Sequence, residues 1–250
     1  MKLGEIWRRT LFSLSVPKCV SCKEKLSYGE LALCADCYSK YKEICTRNCS
    51  RCSKILSECS CTNELLERNK VHRVIKVFRY LQREENLAAN SVIYSLKKDN
   101  RQDVLEFAAG ELTAALKNSL RSFDNVVFTN VPRRRSAIVK HGIDHAALLA
   151  MTVAKNLGAA YTPTLVSKAK KMQKTLRTEE RIENAVFKPQ KEIEGLRGKT
   201  VILVDDVITT GASISEAACI IRRVRPKEVI AASLAIVYRD WHVEPIFTFN

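Results

Sequence analysis

No stretch of this 250-residue sequence approaches the roughly 20 consecutive apolar residues that a bilayer-spanning helix needs. The apolar residues before Val16 are interrupted by Arg8, Arg9 and Ser13, and no small-residue cleavage site follows, which argues against a secretory signal. Low-complexity tracts are missing, as are internal repeats other than a recurring pair of cysteines. The sequence therefore predicts no membrane insertion and a cytoplasmic location. Its four histidines, His72, His141, His145 and His242, have no Cys or Asp partner at catalytic spacing, which predicts structural or surface roles. No aromatic stacking platform accompanies the basic runs, and this weakens a case for direct recognition of bases.

What is present fits one full α/β domain with a small appendage. The 46% apolar and 28% charged residues are ordinary for a soluble globular chain, so composition leaves the fold to patterning. The formal charge is +15. Two Zn²⁺ (+4) on eight thiolates (−8) would lower it by four, to about +11. That balance suits an anionic partner, either a pyrophosphate-bearing metabolite or nucleic acid, although lysines that serve only solubility give the same count.

Cysteine use divides the chain. Nine of its ten cysteines precede residue 62: Cys19-x2-Cys22, Cys34-x2-Cys37, Cys45, Cys49-x2-Cys52 and Cys59-x-Cys61. Paired thiolates on tight turns suit tetrahedral zinc. Disulfides would need an oxidising compartment that nothing in the sequence indicates. Eight paired cysteines allow two four-thiolate sites, with sequential and interleaved quartets both open, and Cys45 left free. The tenth, Cys219, is expected in the core. Ile6, Trp7, Leu11, Phe12 and Leu14 predict a short apolar helix that packs on a partner domain. The expected division is a zinc-knuckle module over residues 1–66, a polar linker near 62–70, and a second domain over 71–250.

The second domain is organised around residues 201–213, Val-Ile-Leu-Val-Asp-Asp-Val-Ile-Thr-Thr-Gly-Ala-Ser. Four apolar residues predict a strand buried on both faces. Asp205 and Asp206 follow at its end, then Val207, a Thr209-Thr210-Gly211 turn, and a helix with Ile214, Ala217, Ala218, Ile221 and Val224 on one face. Such a helix N-terminus attracts anions through free N–H groups and its dipole. Thr209, Thr210 and Ser213 add hydroxyls, while Gly211 lets the main chain approach closely. The acid pair can accept hydrogen bonds from sugar hydroxyls or hold hydrated Mg²⁺. These parts together describe a phosphate-and-ribose site.

Elsewhere, residues 74–80 and 229–237 read as strands, 126–132 as a buried strand ending at Pro132, and 164–166 as a short strand. Helices are expected over 87–96, 104–120 and 144–157. The lysine-rich segment 168–181 reads as a mobile loop. Alternating strands and helices predict a doubly wound, mostly parallel sheet with its ligand at the carboxyl ends of the strands.

Residues 203–211 resemble the phosphoribosyl-pyrophosphate (PRPP) signature of type I phosphoribosyltransferases. With cysteine knuckles in front, the chain is similar to the ComF/GntX family of phosphoribosyltransferase-like proteins. That resemblance also takes in Tyr80, Leu96-Lys97-Lys98, the Val131-Pro132 turn, and Gln173, Leu176, Arg181, Asn184 and Phe187. Where relatives carry a proline and an arginine, this chain has Asn130 and His141.

The resemblance implies a type I phosphoribosyltransferase fold carrying a small N-terminal zinc-binding module. It implies PRPP bound with Mg²⁺ at Asp205, Asp206, Val207, Thr209, Thr210, Gly211, Ala212 and Ser213. Arg133, Arg134 and Arg135 become candidates for the pyrophosphate loop, and 168–181 becomes a closing hood. It also implies one or two structural zinc ions on Cys19, Cys22, Cys34, Cys37, Cys49, Cys52, Cys59 and Cys61. A link to DNA uptake in natural competence follows, with single-stranded DNA and a competence helicase as partners. Three activities compete: transfer from PRPP to an acceptor, sensing of PRPP or another phosphorylated nucleotide, and non-catalytic DNA handling.

Overall fold

The computed structural model describes residues 16–133, 138, 143–167 and 187–237. Among these, no helix is long and apolar enough to cross a membrane. Five strands form one parallel sheet: β1 (Val74–Tyr80), β2 (Val126–Asn130), β3 (Ala160–Tyr161), β6 (Thr200–Ile208) and β7 (Glu228–Val237), in the order β1-β7-β6-β2-β3. This is the expected doubly wound class. Two further strands, β4 (Leu165–Ser167) and β5 (Phe187–Pro189), pair antiparallel in a separate ribbon. The strand expected near 164–166 therefore exists but lies outside the main sheet.

Side-chain alternation along β6 sorts the core into two layers. Ile202 and Val204 join one buried cluster with β1, α3 (Leu87–Lys98), α4 (Gln102–Ser119) and α5 (His145–Asn156). Tyr41 and Ile44 of α1 (Ala35–Cys45) enter that layer too, so the first cysteine region packs on this face. Val201 and Leu203 belong to the opposite cluster, with Ile214, Ala217, Ala218 and Ile221 of α6 (Ala212–Ile221) and with Val224. Leu66, on the short helix α2 (Glu64–Arg68), lies in this second layer. The chain from 62 to 70 is thus a docked helix and not a free polar connector.

Local sequence explains the element ends. Asp144 accepts from the backbone N–H groups of Ala146 and Ala147 at 3.1 and 3.2 Å and so caps α5. Asn63 caps α2 in the same way, accepting from Leu66 N at 2.9 Å. Strand β6 runs four residues beyond the apolar stretch, because Asp205, Val207 and Ile208 still pair with Ser233, Ala235 and Ile236 of β7. The acid pair accordingly lies within the strand and not after it. Cys219 corrects another expectation: it is exposed and donates to Asn69 Oδ1 at 3.1 Å.

Candidate functional site

The carboxyl ends of β6 and β2 meet at the sheet's rim, and β6 leads directly into the turn at Thr209. Gly211 is the N-cap of α6 with φ of +84°, a left-handed conformation that favours glycine, and it has no side chain with which to cap the helix. Thr210 Oγ1 accepts from Ala212 N at 3.3 Å, and Gly211 O accepts from Ser215 N at 2.8 Å. Thr209 is exposed, and Ser213 and Thr210 are half-buried. Amides and hydroxyls are thereby gathered around one small loop at a ten-residue helix's positive end.

Asp206 shares its face of the sheet with Ile202 and Val204, the face covered by α3 and α5. It is 7% exposed, and its carboxylate sits 3.2 Å from Lys97 Nζ and 3.9 Å from Arg133 Nη2. One of the Asp205 oxygens accepts from Asp206 N at 2.9 Å. Burial, and next the neighbouring charge of Asp206, push the Asp205 carboxyl well above the usual range, against the pull of Lys97 and that N–H.

Arg133 is held from three sides. Its backbone N–H donates to Asp144 Oδ2 at 3.1 Å, and its guanidinium lies 2.9 Å from His145 Nδ1 as well as near Asp206. A guanidinium only donates, so Nδ1 accepts and the imidazole proton sits on Nε2, which donates to Asn100 Oδ1 at 2.9 Å. Burial, then the Arg133 charge, lower the His145 pKa, so the ring stays neutral. Asn130 extends this network, donating to Asp144 Oδ2 at 3.3 Å and accepting from Tyr161 OH at 2.8 Å.

The structure therefore brings together Asp205, Asp206, Val207, Thr209, Thr210, Gly211, Ala212, Ser213 and Arg133. Arg134, Arg135, His141 and the 168–181 segment lie outside the described residues, as do the apolar residues before Val16 and His242. Lys97 carries no signal of its own in the sequence, since a lysine at a helix end looks like surface. His145 does take the structural role expected of it, but inside the site, buried and hydrogen-bonded to Arg133 and Asn100. Neither partner is near enough in sequence to have signalled this.

The cysteines form two sequential quartets, Cys19/Cys22/Cys34/Cys37 and Cys49/Cys52/Cys59/Cys61, with the sulfurs of each within 4.8 Å of one another. Cys45 stays apart, buried in the core. The first C-x2-C turn of each quartet shares one geometry: Lys23 N donates to Cys19 O at 3.1 Å, and Ser53 N to Cys49 O at 2.8 Å. Lys23 and Ser53 both have positive φ. Zinc–sulfur bonds of about 2.3 Å in a tetrahedron put sulfurs about 3.8 Å apart, and Cys22 and Cys34 are separated by 3.6 Å. Burial opposes ionisation of Cys19 and Cys49, yet backbone N–H donors outweigh it and bring each to about 7, while burial pushes Cys37 and Cys61 up to about 12. Crowded thiolates of this kind are stabilised by a shared divalent cation, so both quartets can hold structural zinc.

Residues 142–242 match the phosphoribosyl transferase domain family. No match is found among curated proteins. Among solved structures, the chain is similar to a purine phosphoribosyltransferase from Pyrococcus horikoshii, at 18% identity over 58% of this chain and 92% of that one, with a TM-score of 0.32. A hypoxanthine-guanine phosphoribosyltransferase from Bacillus anthracis is 15% identical over 58% of this chain and 76% of its own, with a TM-score of 0.37. The protein TT1426 from Thermus thermophilus is 16% identical over 56% and 86%, with a TM-score of 0.33.

Proposed function

We propose that this protein binds PRPP at the rim of β6 and acts as a phosphoribosyltransferase of the ComF/GntX kind. The observation that carries the reading is the acid pair Asp205–Asp206 running into the Thr209–Gly211 turn at the head of α6, inside the segment that matches the transferase domain. The 5′-phosphate sits on the amides and hydroxyls of residues 209–213. Asp205 and Asp206 accept from the ribose hydroxyls. Carboxylate oxygens are also the donors Mg²⁺ prefers, so these two residues would hold the ion, which supplies charge neutralisation for pyrophosphate.

Lys97 and Arg133 place two cations beside Asp206, on the side from which pyrophosphate departs. Transfer from such a donor passes through an oxocarbenium-like sugar, so the chain's task is to orient, neutralise and exclude water, with no nucleophilic side chain. His145 holds Arg133 by accepting its N–H, and Asp144 fixes the same residue's backbone. The two quartets hold zinc in a module spanning residues 1–66, joined to a transferase domain spanning 71–250, in a cytoplasmic protein.

A second reading, DNA handling in competence with single strands and a helicase as partners, draws on the +15 charge and on the cysteine module's surface. There Tyr28 is 46% and Tyr38 39% exposed, and Lys42 Nζ lies 5.7 Å over the Tyr38 ring. A melting screen with Mg²⁺ plus PRPP, with nucleotides, and with single-stranded DNA separates the readings. At about 100 times its Kd a ligand adds about 2.7 kcal/mol of stability. PRPP is expected to give the largest shift; a shift with DNA alone would favour the second reading.

A further inference from the structure

Helix α2, between the second cysteine quartet and β1, belongs to neither the metal site nor the acid pair, yet it touches the phosphate turn directly. Asn63 is 2% exposed and Leu66 fully buried. The Asn63 side chain works in two directions: Oδ1 accepts from Leu66 N at 2.9 Å, and Nδ2 donates to Thr210 O at 3.0 Å. One turn on, Leu66 lies against Gly211 so closely that a Cβ there would stand 3.0 Å from Leu66 Cγ. The far end of the helix is fastened to α6 as well, by Cys219 Sγ donating to Asn69 at 3.1 Å.

The other end of this connection is the second quartet. Arg51, within the Cys49-x2-Cys52 turn, donates to Thr62 O at 3.1 Å and pairs with Glu67 of α2 at 3.2 Å. Lys76 of β1, itself buried, donates to Cys61 O at 2.8 Å, and Val74 N donates to Ser60 O at 3.0 Å. Residues 60–67 are therefore gripped on one side by the Cys49–Cys61 ligand loops and the sheet edge, and on the other by the phosphate turn. The first quartet packs with the opposite core layer, beside α3 and α4.

We infer that Asn63 and Leu66 are positioning residues for the 209–213 turn, and that they make the second quartet, not the first, the metal site on which that turn depends. Asn63 fixes the direction of the Thr210 carbonyl, which orients the following amides toward an anion. Leu66 backs the left-handed Gly211 and leaves it no room to relax away from that conformation. When the second quartet loses its metal, Arg51 and Cys61 cease to hold 60–67 in place, and the turn loosens. The role of the turn in PRPP binding rests on the function proposed above; its dependence on α2 does not.

Two readouts on the full-length, zinc-loaded protein test this: hydrogen exchange of the 209–213 amides without ligand, and calorimetric titration with Mg²⁺–PRPP. The informative variant is Asn63→Ser, because serine caps a helix about as well as asparagine but is too short to reach Thr210. Zinc content should stay at wild type, melting temperature should fall by only about 2–4 °C, exchange at 209–213 should quicken, and PRPP affinity should fall roughly five- to tenfold, the loss of one hydrogen bond. Cys52→Ser should quicken the same amides and Cys22→Ser should not, each releasing one zinc. Unchanged exchange in Asn63→Ser overturns the inference, whereas faster exchange with wild-type affinity upholds the positioning role and overturns the part given to the turn in PRPP binding. Equal effects of Cys52→Ser and Cys22→Ser overturn the assignment to the second quartet. If wild type fails to bind PRPP while Asn63→Ser loosens the turn, the PRPP reading fails and the positioning role stands.

Discussion

Lys97 Nζ lies 3.2 Å from Asp206 Oδ1, so the last turn of α3 supplies a cation to an acid at the end of β6. The two residues are far apart in sequence and belong to different layers of the fold. The pair is mostly sheltered from solvent, with the Lys97 side chain 32% and the Asp206 side chain 10% exposed, so solvent weakens it less than a surface pair. Arg133 stands further off at 3.9 Å and cannot fully replace the lysine.

Replacing Lys97 with Met therefore has a selective consequence. If the lysine serves the pyrophosphate, PRPP affinity should drop roughly tenfold or more, the value of about one charge-assisted hydrogen bond. Ribose 5-phosphate, which lacks pyrophosphate, should bind within about twofold of wild type. Parallel calorimetric titrations with the two ligands decide the point, and equal losses for both would contradict the role given to Lys97.

The acid pair sets a pH dependence with a definite sign. The folded-state pKa of Asp205 lies above its unfolded value, so its contribution is fully present below the unfolded pKa of about 3.9 and is lost as pH rises through the folded value. Asp205→Asn should thus raise the melting temperature of the ligand-free protein at neutral pH, with the gain shrinking toward pH 4. His145 runs the other way. Its folded pKa is depressed, so stability declines as pH falls below about 6.5, where the unfolded imidazole takes up its proton. Melting curves from pH 4 to 8 for wild type, Asp205→Asn and His145→Gln test both signs.

Elemental analysis of the purified protein should give about two zinc ions per chain. Cys34→Ser should release one and unfold the first knuckle. Cys45→Ser should release none, because Cys45 lies outside both quartets. Disulfides in place of zinc by mass spectrometry would contradict the metal reading.

Gly211 combines a left-handed backbone, where a side chain costs roughly 1–2 kcal/mol, with the Leu66 contact at 3.0 Å. Gly211→Val should lower stability by at least that amount and block the turn. A Gly211→Val protein with the wild-type denaturation midpoint would mean that the turn is less constrained than its geometry requires.

Much of this arrangement is legible in the sequence. Val201–Val204 is a buried run because both faces of a parallel strand are covered, and its end announces the acids and the glycine turn. Cysteine spacing announces the quartets, although only folding shows them to be sequential. Cys219 was readable too: at 100° per residue it falls roughly 140° from Ile214, away from the apolar stripe. Other features leave no local mark. Lys97 looks like any exposed helix-end lysine, and the partners of His145 come from distant loops. Leu66 sits among the charged residues of 62–70, and a short polar helix docked by one leucine reads as a linker.

In the proposed function, Asp205, Asp206 and the turn after them bind PRPP. Calorimetric titration of Mg²⁺–PRPP into wild type and the Asp205→Asn/Asp206→Asn double variant tests it most directly. The substitutions keep size and shape and remove both charges at the end of a strand, so circular dichroism should show the fold intact. Two charge-assisted bonds contribute roughly 1.5–3 kcal/mol each, so the variant should bind on the order of a hundredfold more weakly, or beyond detection. Equal affinities for wild type and variant, or no binding by wild type, would contradict the claim.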